Sequence, residues 1–374
     1  MAPLRLDEGR PLIQSESLTK GFSGAARNVL HDVTFTVDQG EVYTLLGPSG
    51  CGKTTTLRCI GGLELPDSGR IMLGTRTVFS GAERINVSPA RRSIGMVFQS
   101  YAVWPHMTVA QNVAYPLEGR GLAADEVRKR VRNALELVGL LDLGDRPSPN
   151  LSGGQQQRVA FARAIVAEPD VLLLDEPLSN LDAKLRQQMR SELTALQRRL
   201  GHTVLYVTHD QEEALALSQR IALMRGGEIV EEGDPITMYQ HPKHPFTAAF
   251  LGAANFVSCR LSGQPKDGES TEVETRFGRF SATARRGEGR EPLLFFRPNH
   301  ARLVDGTHSK GLNFGTGQIV EATFLGEHLD ILLGNGDERI RLRGIGGIPP
   351  QAGSTMEFFI DPAFSILFLP QQSS

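Results

Sequence analysis

An α/β domain built on a parallel sheet and carrying a phosphate-binding loop, followed by a small all-β domain, is the fold class this sequence predicts. Three observations carry it. From about Ser15 to Phe250, short apolar runs alternate with amphipathic segments, the βαβ rhythm of a parallel sheet. The run GPSGCGKTT at 47–55 fits the G-x-x-x-x-G-K-[ST] spacing of a loop that cradles phosphates. Roughly the last eighty residues read as β-strands, and in DERIRLR Ile340 and Leu342 alternate with Arg339, Arg341 and Arg343, which gives one buried and one solvated face.

The loop comes first in the chain. EVYTLL at 41–46 reads as a buried strand and TTTLRCI at 54–60 as a helix start, so the loop ends at a helix N-terminus, which favours an anion. Gly47, Pro48, Ser49, Gly50, Cys51, Gly52, Lys53, Thr54 and Thr55 form the candidate nucleotide-binding set. The glycines let successive backbone N–H groups turn toward one centre. Lys53 is placed to reach the β and γ phosphates, and the Thr54 hydroxyl to hold Mg²⁺.

Ligands of open α/β sheets lie beyond the carboxyl ends of the strands. IGMVF at 94–98 delivers Gln99, VLLL at 171–174 delivers Asp175 and Glu176, and TVLYVT at 203–208 delivers His209. Asp175, after a fully apolar strand, suits a carboxylate that holds Mg²⁺ directly or through water. Glu176 suits a general base that polarises an attacking water. His209 suits a hydrogen bond to the γ-phosphate, and Gln99 suits positioning of metal and water. The catalytic candidates are therefore Glu176, His209 and Gln99, and the metal candidates Thr54, Gln99 and Asp175. A Gln or His at a strand end is by itself an ordinary loop residue; the phosphate loop and the acidic pair in the same domain give these two a chemical role.

LSGGQQQRVAFARAI at 151–165 opens on Ser152 with Gln155 three residues later, the spacing of a helix capping box. Gly153 and Gly154 directly after the cap allow close backbone approach to a ligand at the positive helix end. With the phosphate loop already complete, that end points to the nucleotide of another subunit.

Beyond 250 the texture changes. Residues 261–292 are rich in Gly, Arg and Glu and predict loops and short exposed strands. LDILLG and DERIRLR flank Asn335 and Gly336, a pair that favours a two-residue type I′ hairpin. With GQIVEATFLG and MEFFIDP they predict a small antiparallel barrel.

Bulk properties narrow the class. Lys plus Arg is 40 against 42 for Asp plus Glu, which leaves no global basic field for nucleic acid. Three scattered cysteines, Cys51, Cys59 and Cys259, suit a reducing compartment rather than a disulfide framework or zinc site. MAPLRLDEGRPLIQ lacks a signal-peptide apolar region, and no stretch reaches the ~18 apolar residues of a membrane span, so a cytosolic location is expected unless another protein docks the chain to a membrane.

Over about residues 15–250 the chain resembles the nucleotide-binding subunit of ATP-binding cassette (ABC) transporters. The motif order matches: the Walker A loop at 47–55, Q-loop Gln99, LSGGQ at 151–155, Walker B ending at Asp175, Glu176, the D-loop SNLD at 179–182 and H-loop His209. The resemblance implies an ATPase with ATP and Mg²⁺ as cofactors. It places Phe22 on the adenine and implies a head-to-tail homodimer in which Ser152, Gly153, Gly154 and Gln155 of one copy close the ATP site of the other.

The same resemblance implies an α/β P-loop NTPase cassette at 15–250 with a helical subdomain at about 100–167, an extension at 1–14, and a regulatory OB-like barrel at 251–374. YQHPKHPFTAAFLG at 239–252 and FFRPNHARL at 295–303 resemble bacterial importer ATPases; His241 and His244 in the first read as a solvated connector. SYAVWPHMTVAQNVAYPL at 100–117 resembles the stretch where membrane permeases dock, which implies permease contact near Gln99 to Pro116, indirect work with a solute-binding protein, and a peripheral place on the inner-membrane face. Trp104 and Pro105 look most like the ferric-ion branch, and the polyamine and sugar branches resemble it nearly as well. The connector RPSPN at 146–150 departs from the commoner aromatic-Pro-x-Gln.

Two other classes compete. Soluble ABC ATPases that act on DNA insert long coiled coils between Walker A and LSGGQ, where this chain has about a hundred residues without sustained heptads; translation factors usually carry two cassettes, and this chain has one. An oligonucleotide-binding barrel using Arg339, Arg341 and Arg343 is the third, against which alternating arginines are ordinarily a solvated strand face.

Overall fold

The computed structural model describes residues 11–22, 28–261, 263–304, 311–345 and 347–370. Of the extension at 1–14, the first ten residues lie outside this set. The chain divides into two compact units, Met1–Pro235 and Ile236–Ser374.

The first unit begins with β1 (Ile13–Lys20), β2 (Leu30–Val37) and β3 (Val42–Leu46), then α1 (Lys53–Gly61), β4 (Ser68–Leu73), β5 (Arg76–Ser80), β6 (Ile85–Asn86) and β7 (Ile94–Val97). Three helices follow, α2 (Val109–Ala114), α3 (Ala124–Leu137) and α4 (Gly153–Ile165). The chain then returns through β8 (Val171–Asp175), α5 (Ala183–Leu200), β9 (Thr203–Thr208), α6 (Gln211–Leu217), β10 (Arg220–Arg225) and β11 (Glu228–Gly233). The principal sheet has the order β11-β10-β3-β9-β8-β7, parallel except for β11 at its edge. A second, antiparallel sheet has the order β2-β1-β4-β5-β6.

The parallel strands are largely apolar and buried because both faces are covered. In β8, Leu172 and Leu174 enter a core with Val109, Leu135, Val159 and Phe161 of the helices. Val171 and Leu173 enter the opposite core with Leu57 and Ile60 of α1 and Ile13, Leu18 and Leu30 of the antiparallel sheet. Each such side chain contributes about 1.5–3 kcal/mol on burial. Arg92 is buried among these elements and donates to the Cys59 and Ile60 carbonyls at the end of α1, which fastens the helix that follows the phosphate loop. Burial lowers its pKa to about 10.

The second unit contains α7 (Pro235–Gln240), whose first residue is the last of unit one, and α8 (Pro245–Phe250). Its strands are β12 (Asn255–Ser258), β13 (Arg260–Leu261), β14 (Ser270–Glu274), β15 (Arg279–Arg286), β16 (Leu293–Phe296), β17 (Ala301–Val304), β18 (Phe314–Phe324), β19 (His328–Asn335), β20 (Glu338–Ile345), β21 (Thr355–Ile360) and β22 (Ile366–Leu369). They form a small β domain of two sheets, β12-β16-β22-β15-β14-β13 and β17-β21-β18-β19-β20, around one core that includes Phe280, Phe296, Ile331, Ile340, Phe358 and Leu367. One pair, β15 with β22, is parallel.

Two local differences from expectation have simple causes. Residues 261–292 contain a core strand: Phe280, Ala282 and Ala284 of β15 are buried, and alanines spaced by Ser, Thr and Arg make no apolar run in the sequence. In the β19–β20 hairpin Asn335 pairs with Glu338, so the loop is Gly336–Asp337, one residue later than expected. Gly336 has φ +61° and Asp337 does not share a positive φ, as in a type II′ turn, while the Asn335 side chain donates to the Arg276 carbonyl at 2.6 Å. The two faces of β20 are as expected, with Ile340 and Leu342 buried and Arg339, Arg341 and Arg343 exposed.

Candidate active site

Parallel register aligns the reactive strand ends. Leu46 pairs with Thr208, Asp175 with Val207, and Val97 with Leu174. The phosphate loop, Gln99, Asp175, Glu176 and His209 therefore leave the same edge of one sheet.

The loop's shape depends on glycine. Gly52, the residue before α1, has φ +104°, and a side chain there would meet Leu30 Cδ2 at 2.5 Å and the Val29 carbonyl at 2.9 Å. Gly47, Cys51 and Gly52 are buried, Pro48 is half-buried, and Ser49 and Gly50 are exposed at the tip. Lys53, only 4% exposed, turns back into the loop and donates to the Gly47 carbonyl at 2.7 Å and the Pro48 carbonyl at 3.0 Å. Thr54 and Thr55 are half-buried at the start of α1.

Thr54 Oγ1 donates to Asp175 Oδ1 at 2.9 Å. Burial raises the Asp175 pKa; the Thr54 hydrogen bond and the positive charge of Arg58, 3.9 Å away, pull it down, and Glu176 pushes it up. A hydroxyl and a carboxylate oxygen on adjoining elements are hard oxygen donors of the kind Mg²⁺ takes, alongside water and phosphate.

Glu176 is held from two sides. Gln99 Nε2 donates to its Oε2 at 3.1 Å, and His209 Nδ1 lies 3.1 Å from the same oxygen. Its backbone has a left-handed φ of 44°, fixed by its N–H to the Val207 carbonyl and by the Ser179 N–H and hydroxyl to its own carbonyl. A non-glycine residue in that region costs on the order of 1 kcal/mol, and the surrounding bonds hold it there.

Sequence reasoning missed some supporting residues. Asn180 Nδ2 donates to the Gln99 carbonyl at 2.8 Å. Arg186 bridges the Leu181 carbonyl and Asp210 Oδ2, each at 3.1 Å, and Asp210 caps α6 directly after His209. Buried Glu213 accepts from Tyr206 at 2.9 Å and Thr208 at 2.8 Å beneath His209, with its pKa raised by burial. Asn180 lies within the D-loop SNLD at 179–182 and Asp210 directly follows His209, which is a usable signal; Arg186 and Glu213 gave none.

Among the described residues, no hydrogen bond joins the remaining candidates to this cluster. The capping box is present: Ser152 Oγ accepts from the Gln155 N–H at 3.4 Å, and Gln155 Oε1 from the Ser152 N–H at 2.9 Å. These bonds stay within the cap, and Gly153 and Gly154 face Leu181 and Leu185. Phe22, two residues beyond β1, is 42% exposed, with Lys20 Nζ 5.1 Å from its ring centre. Ser148 of the unusual RPSPN connector is buried and donates to the Met107 carbonyl at 2.6 Å.

Known proteins agree with this architecture. The family described as ABC transporter matches residues 30–179. The Fe(3+) ions import ATP-binding protein FbpC of Brucella suis biovar 1 (strain 1330) is 46% identical over 317 residues, 84% of this chain and 85% of that protein. The spermidine/putrescine import ATP-binding protein PotA of Pseudomonas aeruginosa (strain UCBPP-PA14) is 43% identical over 323 residues, 85% and 86% of the two chains. Among solved structures, cbiO1 from Clostridium perfringens, part of the ABC transporter complex cbiONQ, has a TM-score of 0.54 at 33% identity over 60% of this chain and 89% of its own. The dimeric ABC cassette MJ0796, in a post-hydrolysis state bound to ADP and Pi, has a TM-score of 0.52 at 32% identity over 60% and 98%. The chain belongs to the family of ABC transporter ATP-binding proteins.

Proposed function

We propose that this chain is the ATP-hydrolysing subunit of an ABC importer that takes up ferric ion. The observation that carries the chemistry is the carboxylate of Glu176, held by Gln99 and His209 beside the Thr54–Asp175 pair. The observation that carries the cargo is the kinship with Fe(3+) import proteins over 84% of the chain.

In this reading the loop N–H groups and Lys53 bind the triphosphate, with Phe22 against the adenine. Mg²⁺, when bound at Thr54 and Asp175 with Gln99 nearby, neutralises phosphate charge. Glu176 accepts the proton of the attacking water, and His209 donates toward the γ-phosphate while orienting Glu176. Two copies pair head to tail so that Ser152, Gly153, Gly154 and Gln155 of one complete the site of the other, with the helix end and its dipole against the phosphates. Permease subunits dock near Gln99 to Pro116 at the inner-membrane face, and a solute-binding protein delivers cargo to them. Among the described residues no helix is long and apolar enough to cross a membrane, so the proposed membrane association runs through those subunits.

The test is uptake of labelled ferric ion by cells lacking the gene, complemented with the native chain or with Lys53→Ala. Uptake restored by the native chain alone supports the proposal. Restored spermidine uptake with unchanged ferric uptake would transfer the cargo to the polyamine class, which the PotA relative represents.

A further inference from the structure

We infer that Arg163 is a positioning residue that locks the turn after Gln99 to helix α4, so that a rearrangement at Gln99 is felt at Trp104. The inference rests on the function proposed above.

Tyr101 and Ala102 are consecutive non-glycine residues with left-handed φ of 60° and 47°. Side chains resist this conformation because Cβ crowds the neighbouring carbonyl, so the surrounding structure must hold it. Arg163 does so. Its Nη2 donates to the Tyr101 carbonyl at 2.6 Å and its Nη1 to the Ala102 carbonyl at 2.5 Å. Among the described residues this buried guanidinium has no carboxylate at ion-pair distance, and burial lowers its pKa. Burying a cation costs desolvation free energy, which the two charge-assisted bonds to the strained turn offset.

The arrangement continues toward the proposed docking segment. The Arg163 guanidinium lies 4.7 Å from the centre of the Trp104 ring, which packs on Tyr115 at 4.3 Å. Buried Asn112 accepts from the Trp104 N–H at 2.8 Å and donates to the Trp104 carbonyl at 3.1 Å and to Ser148 at 2.8 Å. Ser148 lies four residues before Ser152. The turn, Trp104, the connector at Ser148 and the last part of α4 are thus joined by specific bonds, and Gln99 precedes the turn by two residues in the chain. The planar fork of arginine reaches two carbonyls at once, which the single ammonium of lysine does not reproduce.

Trp104 is the chain's single tryptophan, so tryptophan emission, excited apart from the five tyrosines, reports this turn alone. We expect Mg²⁺-ATP added to the full chain to shift that emission. Arg163→Lys should bind ATP with native affinity, lose most of the emission response, and turn over about tenfold more slowly at unchanged KM. Ala102→Gly added to Arg163→Lys should recover part of the turnover, because glycine adopts the left-handed φ without a brace. Unchanged response and turnover in Arg163→Lys would overturn the inference, as would failed rescue in a variant that melts like the native chain. If Arg163→Lys does not fold, the native chain decides: emission indifferent to Mg²⁺-ATP in a sample that hydrolyses ATP overturns the inference and leaves the proposed function standing. A native chain inactive even with its permease would overturn both.

Discussion

Thr54 Oγ1 and Asp175 Oδ1 stand 2.9 Å apart although 121 residues separate them in the chain. The hydroxyl sits on the helix that follows the loop and the carboxylate on the end of β8, so this bond is where the loop and the principal sheet meet chemically. Replacing Thr54 with Val removes a donor that favours the charged Asp175. The Mg²⁺ concentration needed for half-maximal ATP hydrolysis should then rise several-fold; an unchanged requirement would take Thr54 out of the metal site.

Glu176→Gln retains a side chain that Gln99 and His209 can hold, and loses only the ability to accept a proton. Phosphate release should fall by about 10²–10⁴-fold while ATP affinity stays near the native value. Native turnover in this variant would refute the assignment of Glu176 as general base.

Ser152 bonds to Gln155 within its own cap, and its contribution is predicted to act across a dimer. Ser152→Ala costs about 1 kcal/mol of helix capping and removes a hydroxyl from the proposed partner site. In mixed dimers, Ser152→Ala on one copy should impair the site whose Lys53 belongs to the other copy. A defect confined to the copy carrying the substitution would defeat the head-to-tail arrangement.

Glu213 titrates with a definite sign. Burial raises its folded pKa above the ordinary 4.5, so its protonated form is the one the fold favours. Stability associated with this group is complete below pH 4.5 and is lost as pH rises through the folded pKa. Glu213→Gln, which keeps oxygen acceptance from Tyr206 and Thr208, should melt like the native chain at low pH and gain on it as pH rises. A melting difference independent of pH would show that Glu213 is not titrating in the fold.

Arg297 is fully buried and donates to the carbonyls of Tyr239, Ala248, Gly252 and Ala253. Burial lowers its pKa to about 10. Arg297→Met leaves those carbonyls without their donor and should destabilise the second unit by about 3 kcal/mol in denaturant unfolding. A loss below about 0.5 kcal/mol would mean that water replaces the guanidinium.

Legibility in the sequence followed the distance over which each interaction acts. The strand, loop and helix at 41–60 were readable because a buried run, a glycine spacing and a helix start are local patterns. The Ser152–Gln155 cap was readable for the same reason. The hairpin at 335–338 was found with its loop displaced by one residue, because the Asn335 side chain is committed to Arg276, far away in the chain. Strand β15 was missed because alanine is too small to announce burial.

The sequence by itself determined the phosphate loop, the three strand ends that bear Gln99, Asp175 with Glu176, and His209, and the boundary in texture between an α/β region and a β region; all of these are written in neighbouring residues. Tertiary structure alone decided that Gln99 and His209 converge on one oxygen of Glu176, that Arg163 braces the turn at Tyr101 and Ala102, and that Arg92 and Arg297 are buried against backbone carbonyls. The physical reason is that a hydrogen bond is selected by the geometry of its two partners. When they are brought together by sheet register and helix packing from dozens of residues apart, neither carries a local mark of the other.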